Sequence, residues 1–224
     1  PRHGLIRKRE FELKEQTDNR LVFEISSNDE SLQNYPYHFR VEIAYELKGK
    51  EITITYRVQN LESDQVMPYF IGGHPAFRCP LLADEDYEDY ELIFEKEESC
   101  SVPLLFTETG LVDRLQRTPF LDHSRSLPLR HELFEKDAII LDQLASKSVQ
   151  LLSKKSGKGL EFAFADFENL VLWSTNNKGP FIALEPWTGI STSAEEGDFF
   201  EDKKGVIQLA PQETRSHQYR ITIL

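Results

Sequence analysis

Apolar residues recur at every second position along most of this chain, which limits it to folds built from half-buried strands. In YHFRVEIAYEL (37–47), Phe39, Val41, Ile43, Tyr45 and Leu47 alternate with a largely polar second set. After Lys48-Gly49-Lys50 the pattern resumes with Ile52, Ile54, Tyr56 and Val58. Period-two patterning on both sides of a glycine turn predicts a β-hairpin. Further strands are predicted at 21–26, 66–71, 90–95, 138–141, 148–153, 160–165, 169–174, 181–185, 205–209 and 217–223, with Ser156-Gly157-Lys158-Gly159 as the turn of a second hairpin. Only 131–136 reads as helical, so helix should occupy less than about a tenth of the chain. There is no internal repeat, low-complexity segment or Gly/Ser/Pro-rich linker. The expectation is an all-β fold: one large antiparallel β-sandwich forming a single domain over 1–224.

A chain of 224 residues with fifteen Phe and eight Tyr can bury a sizeable core without disulfides or metals. The net charge of −12 argues against nucleic acid and anionic membrane surfaces as partners, since both need basic footprints. Two cysteines, Cys79 and Cys100, make no disulfide framework and suit a reducing, cytoplasmic setting. No apolar run approaches the length of a membrane span, and no signal peptide is visible. The chain opens Pro1-Arg2-His3 and its one methionine is Met67, so it is expected to be an N-terminally incomplete piece of a longer protein.

Two short segments carry the chemistry. IGGHPAFRCPL (71–81) and IALEPWTGIST (182–192) each place one proton-transfer side chain, His74 or Glu185, directly before a proline. Proline bars the helical region to the residue ahead of it, so both should be extended, and Gly72 and Gly73 permit close approach of a ligand. His74 alone reads equally as a hydrogen-bonded core histidine. Glu185 lies between Phe181-Ile182-Ala183-Leu184 and Pro186-Trp187, where an ionised carboxylate needs a task or a partner. Trp187 reads as a core residue or as an aromatic wall for the apolar face of a ligand.

Other chemistries lack support. The acidic stretch DEDYEDYE (84–91) has neither the ligand spacing nor the glycine of a calcium loop and reads as a solvated connection. The six histidines show no paired spacing and the cysteines no CxxC, so no metal site is predicted. No GxSxG elbow or phosphate-cradling glycine loop occurs. Arg7-Lys8-Arg9 could contact a phosphate but reads better as a solvated strand start.

The segments HGLIR (3–7), IGGHPAF (71–77), DAIIL (137–141) and LEPWTG (184–189), in this order, resemble the aldose 1-epimerase (galactose mutarotase-like) family, most of all its bacterial LacX-like branch. The resemblance covers essentially the whole chain. It implies the β-supersandwich of that family and the interconversion of α and β anomers of a free sugar, a small-molecule substrate, with no cofactor. His74 matches the family's general acid and Glu185 its general base. His3 resembles a second substrate-facing histidine, and Asp137 an aspartate that binds sugar hydroxyls. The sequence departs from the pattern at Leu5, where an aromatic is usual, and at Ser191-Thr192-Ser193, where an aspartate is frequent. Strands carrying a substrate-binding arginine would precede Pro1.

Mutarotation needs one proton taken from the anomeric hydroxyl and another delivered to the ring oxygen, each worth about 10²–10⁴-fold when positioned. That asks for His74 protonated and for Glu185 raised by its apolar neighbours. His74 and Glu185 should then face one cleft across a pyranose-sized space. The alternatives are a hexose-6-phosphate epimerase, which an arginine cluster at the pocket would distinguish, and a non-catalytic sugar-binding protein.

Overall fold

The alternation becomes strands throughout the computed structural model, which describes residues 3–224. Fifteen strands run in the order β1 (Glu12–Gln16), β2 (Arg20–Ser26), β3 (Phe39–Lys48), β4 (Glu51–Asn60), β5 (Met67–Tyr69), β6 (Ala76–Arg78), β7 (Tyr90–Phe106), β8 (Leu111–Pro128), β9 (Ile139–Leu141), β10 (Ser148–Ser153), β11 (Gly159–Ala163), β12 (Asn169–Trp173), β13 (Phe181–Trp187), β14 (Ile207–Leu209) and β15 (Thr214–Ile223). Helix amounts to 6% of the chain: one turn at Asp29–Leu32 and short 3₁₀ turns. The turn Asp29–Leu32 is closed by reciprocal capping between Asn28 and Ser31.

All named strand pairs are antiparallel. A nine-stranded sheet runs β1-β2-β3-β4-β15-β11-β10-β7-β8, a four-stranded sheet β6-β13-β12-β9, and β14 pairs with β5. The predicted hairpin is β3–β4, which pairs from Phe39↔Asn60 to Lys48↔Glu51 around the Lys48–Lys50 turn. Gly49 has φ of 61°, the left-handed conformation that glycine takes without steric cost. The second hairpin is β10–β11, with Gly157 at φ of 69°.

Strands β12 and β13 read NLVLW and FIALEPW, apolar runs without alternation, and are buried on both faces. One face carries Leu170, Leu172, Ile182 and Leu184, which pack against Phe162, Leu160, Val149 and Leu92 of the large sheet. Each such side chain, fully buried, contributes roughly 1.5–3 kcal/mol. The opposite face carries Val171, Glu185 and Trp187 and belongs to the candidate site.

Three strands escaped the sequence reading. β1 is exposed at all five positions and shows no apolar alternation, as suits a charged edge strand. β6 has three residues. The third is β8, where no strand was predicted; its partner β7 runs far beyond the predicted 90–95, and their pairing shifts register four times, which scrambles the period-two pattern. The acidic 84–91 stretch is not simply solvated: Glu85 and Tyr87 are buried. The Glu85 carboxylate accepts from Ser153 Oγ at 2.7 Å and from the Tyr90 hydroxyl, fixing the start of β7 to the end of β10. Cys79 and Cys100 are both free and buried, and burial pushes the Cys79 thiol up to about 12. Among the described residues, no helix is long and apolar enough to cross a membrane.

Candidate active site

His74 and Glu185 meet because the β6–β13 ladder continues past the end of β6. Within the strands the register is Phe181↔Arg78, Ile182↔Phe77 and Ala183↔Ala76. Beyond them, Leu184 N–H donates to Pro75 O at 3.1 Å and Gly73 N–H donates to Pro186 O at 3.0 Å. Gly72 and Trp187 then form a bridge. Pro75 and Pro186 therefore occupy hydrogen-bonding positions at which each serves only as acceptor. His74 and Glu185 fall opposite each other at the intervening non-hydrogen-bonded position, where Cα atoms approach to about 4.5 Å and side chains leave the same face.

His74 Nε2 lies 3.3 Å from Glu185 Oε1. This corrects the expectation of a ring-sized gap: the two residues are direct cross-strand neighbours. The pair spans the boundary between interior and solvent, the Glu185 side chain being 3% exposed and that of His74 40%. A carboxylate so deeply buried is costly without a partner, and the imidazole is one. Burial of the His74 ring pushes its proton affinity below the ordinary histidine value, and the nearby Arg7 cation acts the same way, against the raising effect of a backbone hydrogen bond. An ionised Glu185 in turn holds the imidazolium once it forms.

The neighbours share that face. Val171 pairs with Glu185, and Trp173 with Ala183. The rows across the sheet are Gly72–Trp187, then His74–Glu185–Val171, then Ala76–Ala183–Trp173. The His3 ring stands 5.4 Å from the His74 ring, tilted by 54°, and the indole of Trp173 meets His74 edge-on at 5.8 Å. His3 and Gly4 both take left-handed backbone angles, φ of 66° and 76°. Trp187 packs with Val171, Ile140 and Val112. The distal part of the β7–β8 hairpin covers this end of the face, since Val112 N–H donates to Thr192 O and Ala194 N–H donates to Val112 O. The end bearing His3, His74 and Ala76 stays open to solvent.

Asp137 precedes β9, the outer strand of the same small sheet. Its φ of 91° is a conformation that L side chains rarely adopt. Its carboxylate accepts from Ala138 N–H at 2.9 Å. The structure thus groups His3, His74 and Glu185, sets Trp187 beside them, and puts Asp137 on the outer strand. Two neighbours went unread in the sequence. Trp173 belongs to no motif, and only its register with Ala183 brings it to His74. Arg7 looked like part of a solvated run, yet its charge reaches His74. Among the described residues, no group of three or more His, Cys, Asp or Glu side chains is placed to hold a metal ion.

The sequence profile described as aldose 1-epimerase matches residues 1–222. The chain belongs to the aldose 1-epimerase family. Two LacX proteins of Lactococcus lactis subsp. lactis, one chromosomal and one plasmid-borne, are each 55% identical over 223 residues, covering 100% of this chain and 75% of their own length. A galactose mutarotase related enzyme from Lactobacillus acidophilus superimposes with a TM-score of 0.87 at 25% identity, covering 96% of this chain and 71% of that one. A galactose mutarotase-like protein from Lactobacillus casei gives a TM-score of 0.83 at 25% identity over 96% and 73% of the two chains. The all-β antiparallel architecture predicted from the alternation is the one observed. Its structural neighbours are galactose mutarotase-like, as the resemblance implied, and family membership points to a sugar as substrate.

Proposed function

We propose that this protein is an aldose 1-epimerase that interconverts the α and β anomers of a free hexose, with Glu185 as base and His74 as acid. The observation that carries the reading is the 3.3 Å contact between a buried carboxylate and a half-exposed imidazole on one sheet face. The two sugar oxygens that exchange protons, the anomeric hydroxyl and the ring oxygen, are bonded to the same carbon. An acid and a base serving them need not straddle the ring; adjacent groups beneath the anomeric carbon suffice.

The steps follow. The Glu185 carboxylate takes the proton of the anomeric hydroxyl, and a carbonyl forms at that carbon. The bond to the ring oxygen breaks, its electron pair staying on oxygen, which takes a proton from the His74 imidazolium. Rotation about the adjacent carbon–carbon bond presents the other carbonyl face. Closure reverses both transfers, so each proton returns to its original holder and the pair is reset. His3, Asp137 and Trp187 would hold the sugar, the first two by its hydroxyls and Trp187 by its apolar face.

The influence of Arg7 on His74 favours a second reading, in which the hexose is phosphorylated and Arg7 meets the phosphate. Polarimetry on freshly dissolved α-glucose, α-galactose and glucose 6-phosphate decides between them. A rate above buffer on a free hexose supports the first reading, and a rate on the phosphate ester alone supports the second. Binding of a hexose without any rate makes the protein a sugar binder and removes the catalytic reading.

A further inference from the structure

Trp173 lies outside every motif in the sequence, yet it is the aromatic ring set perpendicular to His74. The ring centroids are 5.8 Å apart with the planes at 87°. Its second aromatic contact is Phe181, at 5.5 Å and 52°. Register explains how the indole gets there. Trp173 pairs with Ala183, and Ala183 with Ala76. Both alanines end at Cβ, so the indole can lean across fully buried Ala183 towards the diagonal position held by His74. The ring torsion of a histidine is broad and roughly two-fold, so nothing in the backbone alone fixes which ring atom faces Glu185. A perpendicular aromatic contact, worth about 0.5–1.5 kcal/mol, narrows that choice.

We propose that Trp173 is a positioning residue: held by Phe181, its indole fixes the plane of the His74 imidazole so that Nε2 stays on Glu185. This rests on the reading of His74 and Glu185 as acid and base. The other groups acting on the imidazole are Glu185, His3 and Arg7, none of which is itself altered by replacing Trp173.

The experiment compares Trp173→Leu, which keeps an apolar side chain but no ring, with Trp173→Phe, which keeps a ring. Two readouts are taken: excess anomerisation rate, and titration of each imidazole followed by side-chain NMR. Trp173→Leu should lower kcat about tenfold to a hundredfold, as small misplacements of a reacting group do, with KM little changed. Trp173→Phe should recover most of that loss. In Trp173→Leu the His74 titration should move up towards the ordinary value of about 6.5 as water reaches the ring, while buried His217 stays unmoved and reports an intact fold. An unchanged His74 titration overturns the proposal whether or not the rate falls, because a rate loss alone would mean that the indole acts on the sugar. A shifted His74 with an undiminished rate overturns it as well. If the unmodified protein anomerises no aldose, the acid/base reading is lost, and the His74 titration still decides whether Trp173 holds the ring.

Discussion

Gly72 and Trp187 lie so close across the β6–β13 ladder that a β-carbon at Gly72 would come within 2.8 Å of Trp187 Cδ1 and 2.9 Å of Pro186 O. The second of those atoms is backbone and cannot swing aside. Gly72→Ala must therefore displace Trp187 or open the ladder that aligns His74 with Glu185. Overpacking of this kind costs about 1–3 kcal/mol. A lowered melting temperature and a lost anomerisation rate are expected together. Unchanged stability in Gly72→Ala would contradict the pairing of Gly72 with Trp187.

The acid/base pair makes the sharpest functional prediction. Glu185→Gln keeps the shape and a hydrogen-bonding side chain but cannot take up a proton. It should leave the fold and much of the sugar affinity intact while losing about 10²–10⁴-fold in rate. His74→Asn should lose rate on the same scale by removing the donor to the ring oxygen. Polarimetry corrected for folded protein gives the answer, and a Glu185→Gln variant as fast as wild type would falsify the assignment of the base.

Catalysis should follow pH in a direction that the surroundings of His74 dictate. The acid must carry its proton, and burial holds that proton less tightly than in an ordinary histidine. Activity is therefore lost as pH rises through a value below histidine's usual one of about 6.5. Arg7 pushes the same way, so Arg7→Met should move this limb of the kcat/KM profile upward. A limb above the usual value in the unmodified protein, or one that Arg7→Met leaves in place, contradicts the account.

Stability should also fall in mild acid. His217 is 3% exposed, and its Nε2 stands 2.8 Å from the Tyr69 hydroxyl. Burial, aided by Arg215, lowers its proton affinity in the folded protein. The unfolded chain then binds the proton more readily, so the contribution is present above about pH 6.5 and is lost as pH drops through the folded-state value. His131, lowered mainly by burial, adds to the same trend. The melting temperature should drop between about pH 7 and 5, and His217→Gln should flatten that drop while costing some stability at neutral pH.

How much was legible in the sequence followed one physical rule. Where one strand face is buried and the other wet, as in β3 and β4, alternation located the strand and its turn. Where alternation fails, in exposed β1 or in the bulged stretch of β7 and β8, the strand was missed or cut short. His74 and Glu185 stood out because each precedes a proline. Their contact did not, because it depends on a register set by Gly73, Pro75 and Pro186 across two strands distant in the chain. Trp173 and Arg7 needed the same three-dimensional knowledge.

Asp137 allows backbone strain and sugar binding to be separated. Its φ of 91° costs any side chain with a β-carbon, least of all Asn and Asp, and costs glycine nothing. Its carboxylate also accepts from Ala138 N–H, which steadies the turn into β9. Asp137→Asn should keep the turn and the fold, because Asn tolerates positive φ and retains an acceptor oxygen, yet it should raise KM through the lost charge on a sugar hydroxyl. Asp137→Ala loses the acceptor and keeps the strain, whereas Asp137→Gly loses the acceptor and relieves it. The glycine variant should therefore be more stable than the alanine variant by about 1 kcal/mol, with affinity weakened equally in both. Thermal denaturation and sugar titration on the three variants provide the test. Equal stability of Asp137→Ala and Asp137→Gly would remove the strain argument, and an unchanged KM in all three would remove Asp137 from the sugar site.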